Sequence, residues 1–121
     1  DKWRENIQMG LSTWAETSEI DTTRSDCHAW GASPNIEFFR TILGIDSDGL
    51  SFSKVKIQPH LGDIKNISGK IPHPNGTLST SYRWLQNKWE IQVDLPPKTT
   101  GTLVWKGKIL PLKEGVNKFS F

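Results

Sequence analysis

The apolar positions of the chain follow two periods, one typical of helices in the first part and one typical of strands after it. In residues 1–9, Trp3 and Ile7 stand four positions apart and predict a helix that Gly10 ends. Residues 10–32 show no period and are rich in serine, threonine, aspartate and glycine, so we expect loops and short turns there. A loop of that length is usually functional or needs a partner surface.

A second helix is predicted to begin at Ser33-Pro34, because serine caps a helix N-terminus and proline is tolerated at the first helical position. The helix is expected to end at Gly44. Its apolar stripe is wide and comprises Ile36, Phe38, Phe39, Ile42 and Leu43. Two helices in one short chain cannot cover such a stripe, so the pattern predicts a larger helical body elsewhere in the protein.

From Leu50 onward the period is two. Leu50 and Phe52, then Val55 and Ile57, alternate with polar residues across a phase slip that predicts a β-bulge. The clearest hairpin has alternate apolar residues on both sides of a turn at residues 86–88; these residues are Leu78, Tyr82, Trp84, Trp89, Ile91, Val93 and Leu95. About seven short strands in this region predict an antiparallel β-sandwich or barrel.

Charge divides the chain at the same place as the period. Residues 1–49 carry four Lys/Arg and nine Asp/Glu, a net charge of −5, whereas residues 50–121 carry eleven Lys/Arg and four Asp/Glu, a net charge of +7. We therefore expect two units with different neighbours, residues 1–48 and residues 49–121.

Composition narrows the class of protein further. With 35% hydrophobic and 23% charged residues the chain is typical of a globular protein, and no apolar run of about 18 residues predicts a membrane span. The one cysteine, Cys27, allows no internal disulfide, so cysteine usage does not indicate whether the protein works in an oxidising or a reducing compartment. Six tryptophans suit a core or a sugar-stacking surface, and most are expected in the core. Asp1–Asn6 resembles neither an initiator methionine nor a signal peptide, which predicts a fragment of a longer protein.

Two residues of the irregular part are candidates for acid–base chemistry. Glu16 follows Trp14 in a loop, where a carboxylate can act as a general base, although a surface glutamate is the more common case. His28, near Trp30, is a candidate substrate donor, a general acid or base, or a half-buried structural histidine. No metal or other cofactor is expected, because Cys27 and His28 are adjacent and no second pair has ligand spacing.

Two other functions are weighed and disfavoured. Ser25, Asp26 and His28 are too close in sequence for a catalytic triad, and no nucleophile-elbow pattern surrounds them. The basic, aromatic β-region could suit an oligonucleotide-binding barrel, but its lysines alternate with apolar residues as on a solvated sheet face, so no nucleic-acid partner is expected.

Two segments of the irregular region occur in an informative order. They are Thr13-Trp14-Ala15-Glu16 and Ser25-Asp26-Cys27-His28-Ala29-Trp30-Gly31-Ala32-Ser33-Pro34. Around them stand Trp3, Met9, Gly10, Leu43-Gly44-Ile45, Phe52, Val55-Lys56-Ile57-Gln58-Pro59, Leu61-Gly62-Asp63, Gly69 and Pro72. With this arrangement, residues 1–97 resemble the bacterial α-L-rhamnosidases of glycoside hydrolase family 78.

The resemblance implies that residues 1–48 are the terminal helices of an (α/α)6 barrel, followed by an antiparallel, jelly-roll-like β-sandwich. The family inverts stereochemistry with a general acid and a general base, whose carboxyl groups stand about 6.5–9.5 Å apart. Glu16 matches the general base and His28 matches a sugar-contacting histidine, while Trp14 and Trp30 would be wall residues of the substrate site. The substrate implied is an L-rhamnose-containing glycoside.

The chain also departs from the family pattern, because the general acid and most sugar-binding residues would lie upstream in the barrel. We therefore expect the chain alone to be inactive, with the upstream barrel as its partner and with self-association through the exposed apolar helix as an option. The localisation is open, and a periplasmic or extracellular bacterial parent is expected. The alternative function is a carbohydrate-binding or structural β-sandwich module without catalysis, which a row of exposed tryptophans at Trp84, Trp89 and Trp105 would favour.

Overall fold

Alternation of apolar and polar residues produces a pair of β-sheets in the second part of the chain. The computed structural model describes residues 2–16, 25 and 27–121. Within these residues eight strands form two four-stranded sheets. The strands are β1 (Ile45–Ser47), β2 (Lys54–Ile57), β3 (Asn66–His73), β4 (Gly76–Leu85), β5 (Lys88–Leu95), β6 (Thr100–Trp105), β7 (Lys108–Leu112) and β8 (Gly115–Ser120).

The predicted hairpin is confirmed as β4 and β5. Trp84 pairs with Trp89 and Tyr82 with Ile91 across the two strands. Gln86 and Asn87 form the two-residue turn between them, both with positive φ. Left-handed residues at both central positions match the twist of the flanking strands, which is why such turns close tight hairpins.

The two sheets have the strand orders β1-β2-β6-β7 and β3-β4-β5-β8. Five strand pairs are antiparallel, but β2 and β6 pair in parallel, with Val55 opposite Gly101. The expectation of a purely antiparallel sandwich is therefore wrong at this pair. A parallel pair needs a crossover connection, and β3, β4 and β5 of the other sheet provide it.

The core lies between the sheets and draws residues from both. The first sheet contributes Ile45, Val55, Ile57, Leu103, Trp105 and Leu112, and the second contributes Leu78, Tyr82, Trp89, Ile91, Val93 and Leu95. Two sheets that bury their facing sides against each other form a β-sandwich. Burial of this apolar area, at about 25 cal/mol per Å², is the main stabilising contribution to the unit.

Residues 50–52 are not the start of a strand, so the prediction of alternating β-structure at Leu50 and Phe52 is wrong. They form a short 3₁₀ turn in which Ser51 and Phe52 both have positive φ, and Leu50 is 92% exposed. The ring nitrogen Nε2 of His73 donates to the carbonyl of Phe52 at 2.8 Å, while Nδ1 accepts the N–H of Asn75. This long-range anchor holds a backbone conformation that the local pattern does not favour.

The helical elements are shorter than their patterns suggest. Helix α1 spans Lys2–Gln8, and Gly10 follows it with φ of +77°. Helix α2 spans only Ser33–Glu37 and is preceded by a 3₁₀ turn at Ala29–Ala32. A π-helical turn, Phe38–Ile42, follows it, with the N–H of Leu43 bonded to the carbonyl of Phe38 at 3.0 Å.

The chain divides into two compact units, residues 1–37 and residues 38–121. Strand β1 and the π-helical turn thus belong to the second unit, whereas the predicted boundary at residues 48 and 49 places them in the first. The assignment of the first unit to an (α/α)6 barrel stays a prediction. No helix among the described residues has the length and apolar character that a membrane span needs.

The π-helical turn is attached to the sandwich by a close approach of main chains. Gly44 has φ of +72°, and its carbonyl accepts the N–H of Gln58 at 2.8 Å. A Cβ atom at Gly44 would lie 2.1 Å from the carbonyl carbon of Gln58. Just before it, the carbonyl of Leu43 accepts the buried hydroxyl of Tyr82 at 2.7 Å. Glycine at position 44 is therefore required both for the backbone angle and for the space.

We predict that Gly44→Ala destabilises the chain much more than Gly107→Ala. Both glycines have a left-handed φ, +72° and +82°, but a Cβ at Gly107 meets nothing within 4 Å. Left-handed strain alone costs about 1–2 kcal/mol, and a forced backbone shift in a packed region adds about 1–3 kcal/mol. Urea unfolding of both variants measures the difference, and equal losses of unfolding free energy would contradict the close approach.

A second prediction concerns alkaline stability. Burial raises the pKa of Tyr82 above its ordinary value. As pH rises above about 10 the unfolded chain releases the phenol proton first, so the unfolding free energy should fall by up to about 1.4 kcal/mol per pH unit. The difference between wild type and Tyr82→Phe in the pH dependence of the unfolding free energy isolates this contribution. Tyrosinate absorbance reports on this one group, because the chain has one tyrosine. Identical slopes in both proteins would refute it.

Candidate functional site

Two segments of the first unit are held side by side by their main chains. The N–H of His28 donates to the carbonyl of Trp14 at 2.9 Å, and the N–H of Glu16 donates to the carbonyl of Ser25 at 2.9 Å. Because residue 28 is hydrogen-bonded to residue 14 and residue 25 to residue 16, the two segments run antiparallel. The structure thus brings Trp14, Glu16 and His28 onto adjacent segments through backbone bonds; residues 17–24, which join the segments in sequence, lie outside the described residues.

Two small residues brace this pair of segments. The hydroxyl of Ser25 donates to the carbonyl of Cys27 at 2.9 Å and accepts the N–H of Cys27 at 3.2 Å. A Cβ at Gly31 would lie 2.6 Å from the carbonyl oxygen of Ala15, so only glycine allows this approach. Sequence reasoning weighed Ser25 only as a triad member and did not single out Gly31 as a packing residue. The local sequence signal for this turn is a serine two residues before the residue whose main chain it bonds, here Ser25 before Cys27.

The four predicted side chains differ in exposure. Glu16 is buried, Trp14 and His28 are half-buried, and Trp30 is 60% exposed. The rings of His28 and Trp30 meet edge to face, with centroids 5.4 Å apart and planes at 77°. A carboxylate, an imidazole and two indoles on neighbouring segments provide a proton acceptor, a hydrogen-bond donor and flat apolar faces.

The first unit also exposes a large apolar surface. Trp3, Ile7, Met9, Trp30 and Ile36 are each half or more exposed. Single exposed apolar residues are ordinary, but five in a unit of this size are unusual, and such surfaces mark places where another body packs. Of the apolar stripe that the sequence predicts at residues 36–43, Ile36 and Phe38 are exposed. The rest of the stripe is covered by the sandwich of the same chain and not by a larger helical body, because Leu43 lies in its core and Phe39 and Ile42 pack against that core.

Other kinds of site are poorly supported among the described residues. Within residues 2–16, 25 and 27–121 no three His, Cys, Asp or Glu side chains are placed to hold a metal ion. Cys27 is exposed and has no disulfide partner. Asp26, the middle member of the triad considered from sequence, lies outside the described residues.

The tryptophans of the sandwich do not form the exposed row that a flat sugar-binding face would need. Trp89 is 8% exposed and Trp105 is 6% exposed, and their ring centroids are 5.5 Å apart in the core. Trp84 is 36% exposed and leans on Trp89 at 5.4 Å. The alternation noted in the sequence therefore places two of the three indoles inward.

Comparison with protein families identifies the β-rich unit. Residues 44–119 match the model for the bacterial alpha-L-rhamnosidase C-terminal domain. The chain belongs to this family. The match covers the sandwich, whereas Glu16 and His28 precede it. A comparison with curated protein sequences gave no match.

Solved α-L-rhamnosidases share the fold of this family member over nearly its whole length. The Aspergillus terreus enzyme superposes with a TM-score of 0.85 at 22% identity and covers 98% of this chain. The Streptomyces avermitilis enzyme complexed with L-rhamnose has a TM-score of 0.82 at 15% identity and covers 98% of this chain. The enzyme from Dictyoglumus thermophilum has a TM-score of 0.80 at 17% identity and covers 96% of this chain. The rhamnosidase-like chain spans only 15%, 14% and 17% of these three proteins.

We predict that Gly31→Ala separates the two segments of the candidate site. The added methyl group would collide with the carbonyl of Ala15 and displace the main-chain bonds beside it. Amide hydrogen exchange at Glu16 and His28 should become at least about tenfold faster, because both N–H groups lose their acceptors. The matched control is Ala29→Ser, an exposed position of the same 3₁₀ turn. Unchanged exchange in Gly31→Ala would show that the segments are held by something else.

Proposed function

We propose that the chain is the C-terminal part of an inverting α-L-rhamnosidase that removes terminal α-L-rhamnose from glycosides or polysaccharides. Its contribution is the general base, Glu16, and a sugar-contacting histidine, His28. The observation that carries the proposal is the main-chain pairing of residues 14–16 with residues 25–28, which holds these two side chains on adjacent segments. Membership of the rhamnosidase C-terminal family supports the same conclusion.

In the proposed reaction Glu16 receives a proton from a water molecule while the water oxygen attacks the anomeric carbon of rhamnose. The bond from that carbon to the glycosidic oxygen breaks, and a general acid protonates the departing oxygen. Attack from the opposite face converts the α-glycoside into β-L-rhamnose. The resemblance to the family implies that the acid lies in the upstream part of the parent, and inverting enzymes place the two carboxyl groups on opposite sides of the sugar.

His28 is proposed to contact a rhamnose hydroxyl through its ring. The edge-to-face contact with Trp30 and the hydrogen bond from the His28 main chain to Trp14 restrict the orientation of the imidazole. Restricting a donor before substrate arrives lowers the entropy lost on binding. Trp14 and Trp30 would then line the wall, where indole faces pack against the apolar side of the sugar.

The partner of the first unit is proposed to be the upstream (α/α)6 barrel of the same protein. The apolar surface formed by Trp3, Ile7, Met9, Trp30 and Ile36 needs a cover, and helices of a barrel would supply one. The solved rhamnosidases are about six times longer than this chain, which leaves room for such a barrel. When the chain is alone, the same surface would favour self-association, and the incomplete acid–base pair would leave it inactive.

The decisive experiment is Glu16→Ala in the full-length enzyme, assayed with p-nitrophenyl α-L-rhamnopyranoside. Loss of a general base should lower kcat by about 100-fold or more, with a smaller change in KM. Azide needs no base, so it should restore turnover and yield the β-configured azide. Glu37→Ala, which removes a carboxylate from the same unit, is the matched control and should keep most activity.

Either of two results would reject this function. If Glu16→Ala retains most of the wild-type kcat, the base assignment is wrong and the chain is a binding or structural end-piece. If azide gives no β-product although activity is lost, Glu16 acts through folding rather than through proton transfer. Assay of the 121-residue chain alone should show no hydrolysis.

A further inference from the structure

One end of the sandwich carries a cavity with an unusual charge. Its volume is about 310 Å³, and Trp89, Trp105, Lys65 and Lys106 form much of its wall. The remaining lining residues are Pro59, Leu61 and Gly62, so the wall contains two cations and no carboxylate. The cavity volume lies at the lower end of the range for small-molecule sites, and its wall combines apolar side chains with two ammonium groups.

Both lysines are held over indole rings. The Nζ atom of Lys65 lies 5.5 Å from the ring centroid of Trp84 and 5.9 Å from that of Trp89. The Nζ atom of Lys106 lies 5.8 Å from the ring centroid of Trp105. Both lysines are exposed, so an anion in solution can reach their ammonium groups, while the rings limit where those groups stand.

Two further features concern the same wall. The indole N–H of Trp105 is buried and has no acceptor among the residues that the structure describes. Lys106 and Gly107 form the two-residue turn between β6 and β7, with φ of +47° and +82°. Asn, Asp or Gly is usual at the first position of such a turn, so a lysine there costs backbone strain. This turn carries Lys106 in the cavity wall.

We propose that this cavity binds a carboxylated sugar residue of the glycan on which the parent enzyme acts. The ammonium groups of Lys65 and Lys106 pair with the carboxylate, and the Trp84 ring, which is 36% exposed beside Lys65, packs on the sugar ring. The choice of a sugar rests on the proposed function, whereas the need for an anion rests on the two lysines and the absence of a carboxylate in the wall.

The test uses the whole 121-residue chain and two probes that differ only in charge. Trigalacturonate is titrated by calorimetry at low salt, and its fully methyl-esterified form serves as the neutral counterpart. The acid should bind at least about tenfold more tightly than the ester, since each hydrogen bond between charged groups is worth about a factor of ten. Nuclear magnetic resonance should show the indole N–H signal of Trp105 shifting during the titration.

Variants locate the site. Lys65→Gln and Lys106→Gln should each weaken trigalacturonate binding by about five- to tenfold. Lys118→Gln is the matched control, because Lys118 lies at a separate concavity on the outer face of the second sheet, beside Arg83 and Glu90. It removes the same charge and should leave the affinity unchanged.

Three results would overturn the inference: no binding of trigalacturonate, equal binding of the acid and the ester, or an equal effect of Lys118→Gln and Lys106→Gln. Each of them leaves the Glu16→Ala experiment unaffected, because that experiment measures turnover of a neutral rhamnoside. Conversely, an active Glu16→Ala enzyme together with selective trigalacturonate binding would reject the catalytic proposal and keep the cavity as a glycan site.

Discussion

The buried hydrogen bond from the Tyr82 hydroxyl to the carbonyl of Leu43 is the constraint on which the sandwich unit depends. It satisfies one of the carbonyls that a helical turn leaves without a partner at its C-terminal end. Directly after it, Gly44 lets the chain pass against the backbone of Gln58 and enter β1, which then pairs with β2 from Ile45 onward. Strand β2 in turn pairs in parallel with β6, so the passage at Gly44 leads directly into the first sheet.

The sequence predicts the parts of this fold that are governed by local period. The β4–β5 hairpin follows from alternation on both sides of a short turn, and the end of the first helix follows from Gly10. Contacts between distant residues explain the errors. The turn at residues 50–52 alternates like a strand, but the bond from His73 holds it in a left-handed conformation. Parallel pairing of β2 with β6 likewise has no local signal, because it depends on the crossover between them.

For the candidate site, the sequence could identify residue types but not the reason for their arrangement. Glu16 and His28 stand out because acid–base chemistry uses those side chains, and the family resemblance assigns roles to them. What brings their segments together is main-chain hydrogen bonding and the missing side chain of Gly31. Backbone pairing between irregular segments has no period, so only coordinates reveal it.

The two units differ in net charge. The first, residues 1–37, carries three Lys/Arg and seven Asp/Glu, a net charge of −4, and contains the proposed base. The second, residues 38–121, carries twelve Lys/Arg and six Asp/Glu, a net charge of +6, and two of its lysines stand at a cavity without a carboxylate. A positive accessory domain raises the local concentration of an acidic polymer through its field. Hydrolysis of a neutral rhamnoside would not benefit from that field, whereas hydrolysis of rhamnose linked to acidic sugars would, so lysines at the cavity should matter more for a polymeric acidic substrate than for a small aryl glycoside.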